Sequence, residues 1–457
     1  MNGSFESVNP ATGQLVQSYP QLSHTQLNEA LESAEQAQKL WSSSPVKERV
    51  APLRCIAELL LSRKASLAEL MTEEMGKVKK EALGEIEKCA WVCRYYAEHS
   101  ESFLNPEPVD TEMSESFISL RPLGVVLAIM PWNFPFWQVF RFAAPALAAG
   151  DGALLKHAPN VCGTALAIEK LFLDAGFPRN LFRSLLIDHS QTALAIESPV
   201  VKAVTLTGSV RAGRSVAELA GKHLKKTVLE LGGSDPYLVL EDADLELAAQ
   251  KCAQSRLLNC GQSCIAAKRL IVVESVSQKF AERLVAEFQK YRMGDPGSEE
   301  TNLGPMVSRE ARDELHRQVH KSVQQGADCL LGGALPEGDG AFYPPTVLTG
   351  VKPGMPAFEQ ELFGPVAAVI EATSVEHAVE LANNSPFGLG GAIFTSNLEL
   401  ARELAIEKLE CGCCAINDFV KSDPRLPFGG IKNSGYGREL SHFGQTEFVN
   451  IKTVTRP

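Results

Sequence analysis

The chain has no positively charged stretch followed by an apolar run at its start, Met1–Asn2–Gly3–Ser4–Phe5–Glu6–Ser7, so no secretory signal is expected. No apolar run reaches the roughly 20 residues that a membrane-spanning helix requires. Positive charge is in deficit as well. With 44 Lys and Arg against 55 Asp and Glu, the net charge is −11, which argues against a nucleic-acid or anionic-membrane partner, since either would want a basic face. Metal-binding spacing is also missing. The densest of the 11 cysteines, Cys411–Gly412–Cys413–Cys414, have no second pair and no His cluster near them, so no metal is expected. Scattered cysteines in a chain without a signal read as reduced thiols of a cytoplasmic protein. There is no internal repeat and no low-complexity linker.

What is present is ordinary globular material, 45% hydrophobic and 22% charged, in 457 residues. That length is too great for a single core and predicts more than one domain. Residues 1–120 read as mostly helical after a short extended start. Val46, Val50, Leu53, Ile56, Ala57, Leu60 and Leu61 recur at helical spacing. A helix ends on Gly76, another covers Ala82–Ser100, and Asn105–Pro106–Glu107–Pro108 breaks the pattern. From Gly124 apolar strands alternate with helices. Strands at Val125–Met130, Ala153–Leu155, Val201–Thr207 and Thr227–Leu229 predict parallel β–α–β units in a doubly wound sheet. Asn133, Lys156, Ser209 and Glu230 each follow a strand, and ligands of open α/β sheets bind along that edge. A second alternating region follows Gly232, with a thiol turn at Asn259–Cys264 before the apolar run Leu270–Val273.

Taken alone, Cys264 reads as an inert core thiol, since free cysteines are commonly buried. Its company changes that reading. Pro131–Trp132–Asn133–Phe134–Pro135, Leu229–Glu230–Leu231–Gly232–Gly233, Gly261–Gln262–Ser263–Cys264, Glu361–Leu362–Phe363–Gly364–Pro365, Pro427–Phe428–Gly429–Gly430 and Ser434–Gly435 occur in order along the chain. In order and spacing the chain resembles the NAD(P)-dependent aldehyde dehydrogenases over essentially its whole length. The resemblance implies an α/β fold with a Rossmann-type cofactor domain (1–104 and 123–232) and an α/β catalytic domain (233–435). It also implies a small oligomerisation arm (105–122 and 436–457). It assigns Cys264 as nucleophile, Asn133 with the Cys264 backbone N–H as oxyanion donors, and Glu230 as the base that activates water. The chemistry wants those groups. An aldehyde has no leaving group, so a thiol must first add and then lose hydride to leave a thioester that water can cleave.

NAD or NADP is the implied cofactor. The chain lacks G-x-G-x-x-G, but Gly208–Ser209–Val210–Arg211–Ala212–Gly213 brings glycines to a turn that enters a helix, whose first amides can face a pyrophosphate. By resemblance Lys156, Ala158 and Pro159 lie on the adenosine side and Leu231 and Trp132 nearer the nicotinamide. Glu361 and Phe363 hold its ribose. Pro159 stands where strongly NAD-selective members carry a glutamate that would repel a 2′-phosphate, so NADP should be tolerated, with His157 as a doubtful phosphate partner.

The quoted runs look most like the shorter bacterial succinate-semialdehyde dehydrogenases. That branch holds the distal carboxylate of a small aldehyde with an arginine at the position of Arg141, and some members add a serine at Ser422. Without that likeness, Arg141 reads as an arginine bonded to a neighbouring carboxylate. A second arginine of some members is Leu258 here and a redox-switch cysteine is Ala266. The expected reaction is therefore oxidation of succinate semialdehyde to succinate. Glutarate semialdehyde or a broad range of aliphatic and aromatic aldehydes are the alternatives. A binding protein without turnover would not need Cys264, Glu230 and Asn133 together, and a cysteine hydrolase would need a His in a matching motif. Strands at Phe117–Arg121 and Phe448–Val454 resemble subunit arms and predict a homodimer or homotetramer.

Overall fold

The structure is a computed structural model that describes residues 3–457. Helix Val46–Ser62 buries the predicted stripe of Val50, Leu53, Ile56, Ala57 and Leu60. Helix Lys64–Met75 stops at Gly76, whose φ of +77° and the side chains of Pro10 and Pro305 leave no place for a Cβ. Helix Lys79–Phe103 packs against Val46–Ser62 and against helix Trp137–Ala149. The last of these is buried along its whole length, as expected for a helix flanked by other helices and a sheet.

The first sheet runs Gly435–Tyr436, Lys226–Glu230, Val201–Thr207, Val125–Met130, Gly152–His157, Phe182–Ser184, parallel except for Gly435–Tyr436. Counting only the parallel strands in chain order, this is the 3-2-1-4-5 arrangement of a doubly wound nucleotide-binding sheet. The chain reverses its winding direction between Val125–Met130 and Val201–Thr207, so a cleft opens there beyond the strand ends. The four expected strands are present, and both edges are extended by short strands that carry too little apolar sequence to read in advance. One boundary differs: Lys156 lies within strand Gly152–His157 and not past its end. The tail also returns to this sheet at Gly435–Tyr436, paired with Glu230 and Leu229, before it reaches the arm.

The second sheet has seven strands in the order Asp328–Leu331, Thr346–Thr349, Val366–Ala372, Ala267–Val273, Asp235–Val239, Gly390–Phe394, Cys413–Ile416. All its pairs are parallel except Asp328–Leu331 with Thr346–Thr349. The strand Asp235–Val239 escapes the sequence reading because it begins with Asp235–Pro236 directly after Gly232–Gly233. A register shift at Asp235/Pro236 accommodates the proline. A third sheet pairs Glu115–Pro122 with Val449–Arg456 on one side and Glu107–Pro108 on the other. No helix among the described residues is long and apolar enough to cross a membrane, and those residues hold no group of three or more His, Cys, Asp or Glu side chains placed to bind a metal.

Candidate active site

Cys264 lies just ahead of strand Ala267–Val273, so it stands at the amino edge of the second sheet. Asn133, Ser209 and Glu230 stand at the carboxyl edge of the first. The two edges meet around a cavity of about 300 Å³ whose wall includes Cys264, Arg141, Ser422, Phe134, Trp137 and Phe428. Cys264 is partly buried, and loss of hydration pushes its thiol up to about 12, against the opposing pull of Lys268 and Arg141.

The thiol is carried on a strained turn. Asn259 and Cys260 have φ of +54° and +53°, and Gly261 follows at +71°. A Cβ on Gly261 would fall on the Gly364 carbonyl oxygen, so this position requires glycine. The fully buried Arg256 donates from Nη2 to the carbonyls of Leu362 (3.2 Å) and Gly364 (2.6 Å) and also to that of Gly261. It thereby ties the thiol turn to the Glu361–Gly364 loop. Lys268 Nζ donates to the carbonyls of Ser263 (2.8 Å) and Cys264 (2.7 Å). A Cβ on Gly233 would stand 2.7 Å from the Cys264 carbonyl oxygen, which is why two glycines follow Glu230–Leu231.

Asn133 is buried and fixed from both directions. Its Nδ2 donates to the Gln262 carbonyl (3.0 Å) and its Oδ1 accepts from Gln138 Nε2 (3.2 Å). Its own carbonyl accepts from Lys77 Nζ (2.9 Å) and Asn259 Nδ2 (2.7 Å). One amide hydrogen of Asn133 is thus spent on the thiol turn and one remains. Behind it, Lys77 and Glu85 form a buried ion pair, and Glu85 Oε1 accepts the amides of Phe136 and Trp137, 2.9 Å each. Helix Trp137–Ala149 has no side-chain cap of its own, so Glu85 caps it from the neighbouring helix.

Glu230 ends strand Lys226–Glu230, buried, with neither carboxylate oxygen hydrogen-bonded to protein. Its Oε1 faces Gly429, where a Cβ would stand 2.7 Å away. Burial raises its pKa well above the usual range and Glu439 adds to this, while Arg141 and Arg438 oppose it. Glu230 does not line the cavity that holds Cys264. Arg141 does, but its charge is already engaged. Its Nε is in close ion-pair contact with Glu439, Nη2 donates to Thr207 Oγ1 (3.3 Å), and the guanidinium lies 4.9 Å from the Phe428 ring centre. Among the described residues no protein group bonds its Nη1. Ser422 Oγ accepts from Lys88 Nζ at 2.7 Å.

On the other side of the crevice Trp132 and Phe363 meet edge to face at 5.9 Å. Glu361 accepts from the Gly233 amide (3.1 Å) and lies 3.2 Å from Lys268 Nζ. Ser209 caps helix Val210–Lys222 through Ala212 N–H (3.3 Å), leaving the amides of Val210 and Arg211 without intrahelical acceptors. Gly208 donates its N–H to the Glu230 carbonyl (2.9 Å). Gly213 is not in the turn. The helix begins earlier than its sequence suggests, and a Cβ on Gly213 would stand 2.6 Å from the Leu231 side chain, so this glycine serves helix–strand packing. Lys156 is buried with no ion pair or hydrogen bond among the described residues, and Ala158 packs with Met75, Val161 and Trp132 beside the exposed Pro159. A buried ammonium without a partner and, at the end of another strand of the same sheet, helix amides without acceptors fit an anionic dinucleotide. His157 does not contribute. Its Nε2 donates to the Pro135 carbonyl (2.9 Å), Nδ1 accepts the Ala158 amide (2.9 Å), and burial lowers it to about 4, so it is uncharged at neutral pH.

Residues 1–454 match the model of the aldehyde dehydrogenase family. The chain belongs to that family. Among its relatives, the succinate semialdehyde dehydrogenase [NAD(P)+] of Escherichia coli is 49% identical over 98% of this chain and 97% of its own length. The succinate-semialdehyde dehydrogenase [NADP(+)] of Deinococcus radiodurans is 47% identical over 98% of this chain and 94% of its own. The crystal structure of succinic semialdehyde dehydrogenase from Streptococcus pyogenes with NADP+ superposes with a TM-score of 0.97 at 39% identity, covering 99% of this chain and 100% of that one. The expected aldehyde dehydrogenase architecture is thus present along the whole chain.

Several residues that shape this dehydrogenase site escape the sequence reading. Arg256, Lys268, Lys77, Glu85 and Glu439 lie far apart in the chain and look like surface charges, yet their side chains are buried and paired across elements. The one available signal was Lys268–Arg269, two charges directly before an apolar strand. Cys260 is a buried free thiol packed in the core of the second sheet.

Proposed function

We propose that this aldehyde dehydrogenase oxidises succinate semialdehyde to succinate with NADP or NAD, as a cytoplasmic homodimer or homotetramer. The observation that carries the reading is a cavity that places Cys264 among apolar walls together with Arg141, Lys88 and Ser422. The names of the full-length relatives point the same way.

Cys264 first gives up its thiol proton to water; the thiolate Sγ then adds to the aldehyde carbon, and the carbonyl oxygen takes the negative charge of the thiohemiacetal. The free amide hydrogen of Asn133 and the Cys264 backbone N–H stabilise that charge. Lys156, Ala158, Pro159, Gly208, Ser209 and Leu231 would hold NADP or NAD, with Trp132, Glu361 and Phe363 toward its nicotinamide. When bound, the dinucleotide supplies the acceptor for the aldehyde hydride. Expulsion of hydride leaves a thioester on Cys264. Glu230 then takes a proton from water as the water oxygen attacks the thioester carbon, releasing succinate and the thiol. Pro159 places no carboxylate against a 2′-phosphate, which favours acceptance of NADP.

The test is a kinetic panel of succinate semialdehyde, glutarate semialdehyde, butanal and benzaldehyde with each cofactor, repeated with Cys264→Ala. Succinate semialdehyde should give the highest kcat/KM, and Cys264→Ala should abolish NAD(P)H formation. Turnover that survives in that variant would overturn the thioester route. The Arg141–Glu439 ion pair favours one second reading, a broad aldehyde dehydrogenase in which Arg141 is structural; equal kcat/KM values across the panel would establish it.

A further inference from the structure

We infer that Lys88, on helix Lys79–Phe103, determines specificity by pairing with the distal carboxylate of the aldehyde. The inference rests on the semialdehyde reading above and names the group that recognises the acid. Five charged side chains line the cavity: Glu81, Glu85, Lys88, Arg141 and Lys421. Four already have protein partners. Glu85 is paired with Lys77 and caps a helix, Arg141 is paired with Glu439, and Lys421 Nζ lies 2.8 Å from Asp418. Glu81 Oε2 accepts the Asn259 amide at 2.9 Å, and burial lifts its carboxyl to about 7.

Lys88 is different, because it makes no ion pair among the described residues. Its Nζ donates one hydrogen bond, to Ser422 Oγ, and lies 4.2 Å from the centre of the Trp137 ring. An ammonium has three donors, so two remain for an anion in the cavity. The groups around it are accounted for on every side. Cys89 and Glu85 belong to its own helix, Arg141 comes from Trp137–Ala149, and Asp423 follows Ser422. The Asp423 carboxylate is held by Arg425 at 2.6 Å. Burial and the neighbouring Arg141 lower Lys88 to about 8, while Glu85 and Asp423 pull the other way from their own ion pairs, so what Lys88 lacks is a counter-charge in direct contact. A substrate carboxylate would supply it, with Ser422 fixing the ammonium. The aromatic side chains of Trp137, Phe134 and Phe428 would then flank the methylene chain leading to Cys264. Leu258, in the same wall, carries no charge, so Lys88 is the cation of this lining without an ion-pair partner among the described residues.

The experiment compares kcat and KM for succinate semialdehyde and for butanal, which has the same chain length without the carboxylate. It uses wild type, Lys88→Met and Lys88→Arg over a range of pH. Lys88→Met should lower kcat/KM for succinate semialdehyde about 10- to 100-fold more than for butanal, chiefly through KM, and Lys88→Arg should restore most of the difference. In wild type the preference for succinate semialdehyde should fall as pH rises through about 8, and this fall should be absent in Lys88→Met. The wild-type profile needs no variant to fold, and butanal turnover in each preparation reports that the variants do. Equal losses on both aldehydes, or a wild-type preference flat across that pH range, would overturn the role of Lys88. A wild type that prefers the semialdehyde, with the preference surviving in Lys88→Met, sinks only this inference. A wild type without any preference sinks the substrate assignment itself.

Discussion

Cys264 and Glu230 are both held at rest in the form that does not react. Burial pushes the thiol up to about 12 and raises Glu230 well above the usual carboxylate range. For each group the reactive form is the deprotonated one, so its fraction grows as pH rises, and activity toward an uncharged aldehyde should climb from neutral into mildly alkaline pH. The two residues separate kinetically. Glu230→Gln should keep a rapid first turnover of NAD(P)H while steady-state kcat falls about 10²- to 10⁴-fold, read by stopped-flow absorbance. Loss of the burst together with the steady state would remove Glu230 from the hydrolysis step. His157 is shifted the opposite way, downward, and bears on stability. Its folded pKa of about 4 lies below the unfolded value of 6.5, so its contribution to stability is complete above 6.5 and is lost as pH falls toward 4. His157→Gln should flatten the fall of Tm across that acid window relative to wild type.

At the scale of the element, the thiol turn is the part with least tolerance. Three consecutive residues with positive φ precede Gln262, and Arg256 bonds the turn to the Glu361–Gly364 loop. Gly261→Ala should cost about 1–3 kcal/mol from backbone strain alone and more from the collision with Gly364. It should also reduce kcat further than KM changes, because Cys264 and its amide move together. Thermal unfolding and steady-state kinetics on the same preparation check both parts. A fully active, stable Gly261→Ala would mean that the turn has another accessible conformation.

At the scale of the whole molecule, the site exists because the carboxyl edge of one sheet faces the amino edge of another. The strand-end groups of the first sheet and the thiol therefore come from opposite sides of one crevice, with Glu361 and Phe363 on the side of the thiol. The outermost strand, Val449–Arg456, pairs on one side only and leaves Ile451 65% exposed. An edge strand of that length that presents a large apolar side chain is suited to pairing with another subunit. For the homodimer or homotetramer proposed above, Ile451→Lys, or removal of Val449–Arg456, should shift sedimentation velocity toward a smaller species. Unchanged sedimentation would count against pairing through this edge.

The sequence by itself determined the alternation of strands and helices and the order of the motifs along them. Helical periodicity, glycine stops and strand ends are local properties; they set Asn133 and Glu230 at strand ends, while the roles of these two and of Cys264 rest on the run of motifs that the chain shares with the aldehyde dehydrogenases. It did not locate Asp235–Val239, where a proline hides a central strand, nor the short edge strands, which carry little pattern of their own. Only the tertiary structure decided which charges are free. Arg141 is a substrate clamp by resemblance and a carboxylate-bonded arginine by its residues alone, and the structure supplies that carboxylate in Glu439 from the far end of the chain; Lys88 lines the cavity without an ion-pair partner among the described residues. Charge pairing depends on distance in space and on loss of water, and neither is written in local sequence spacing.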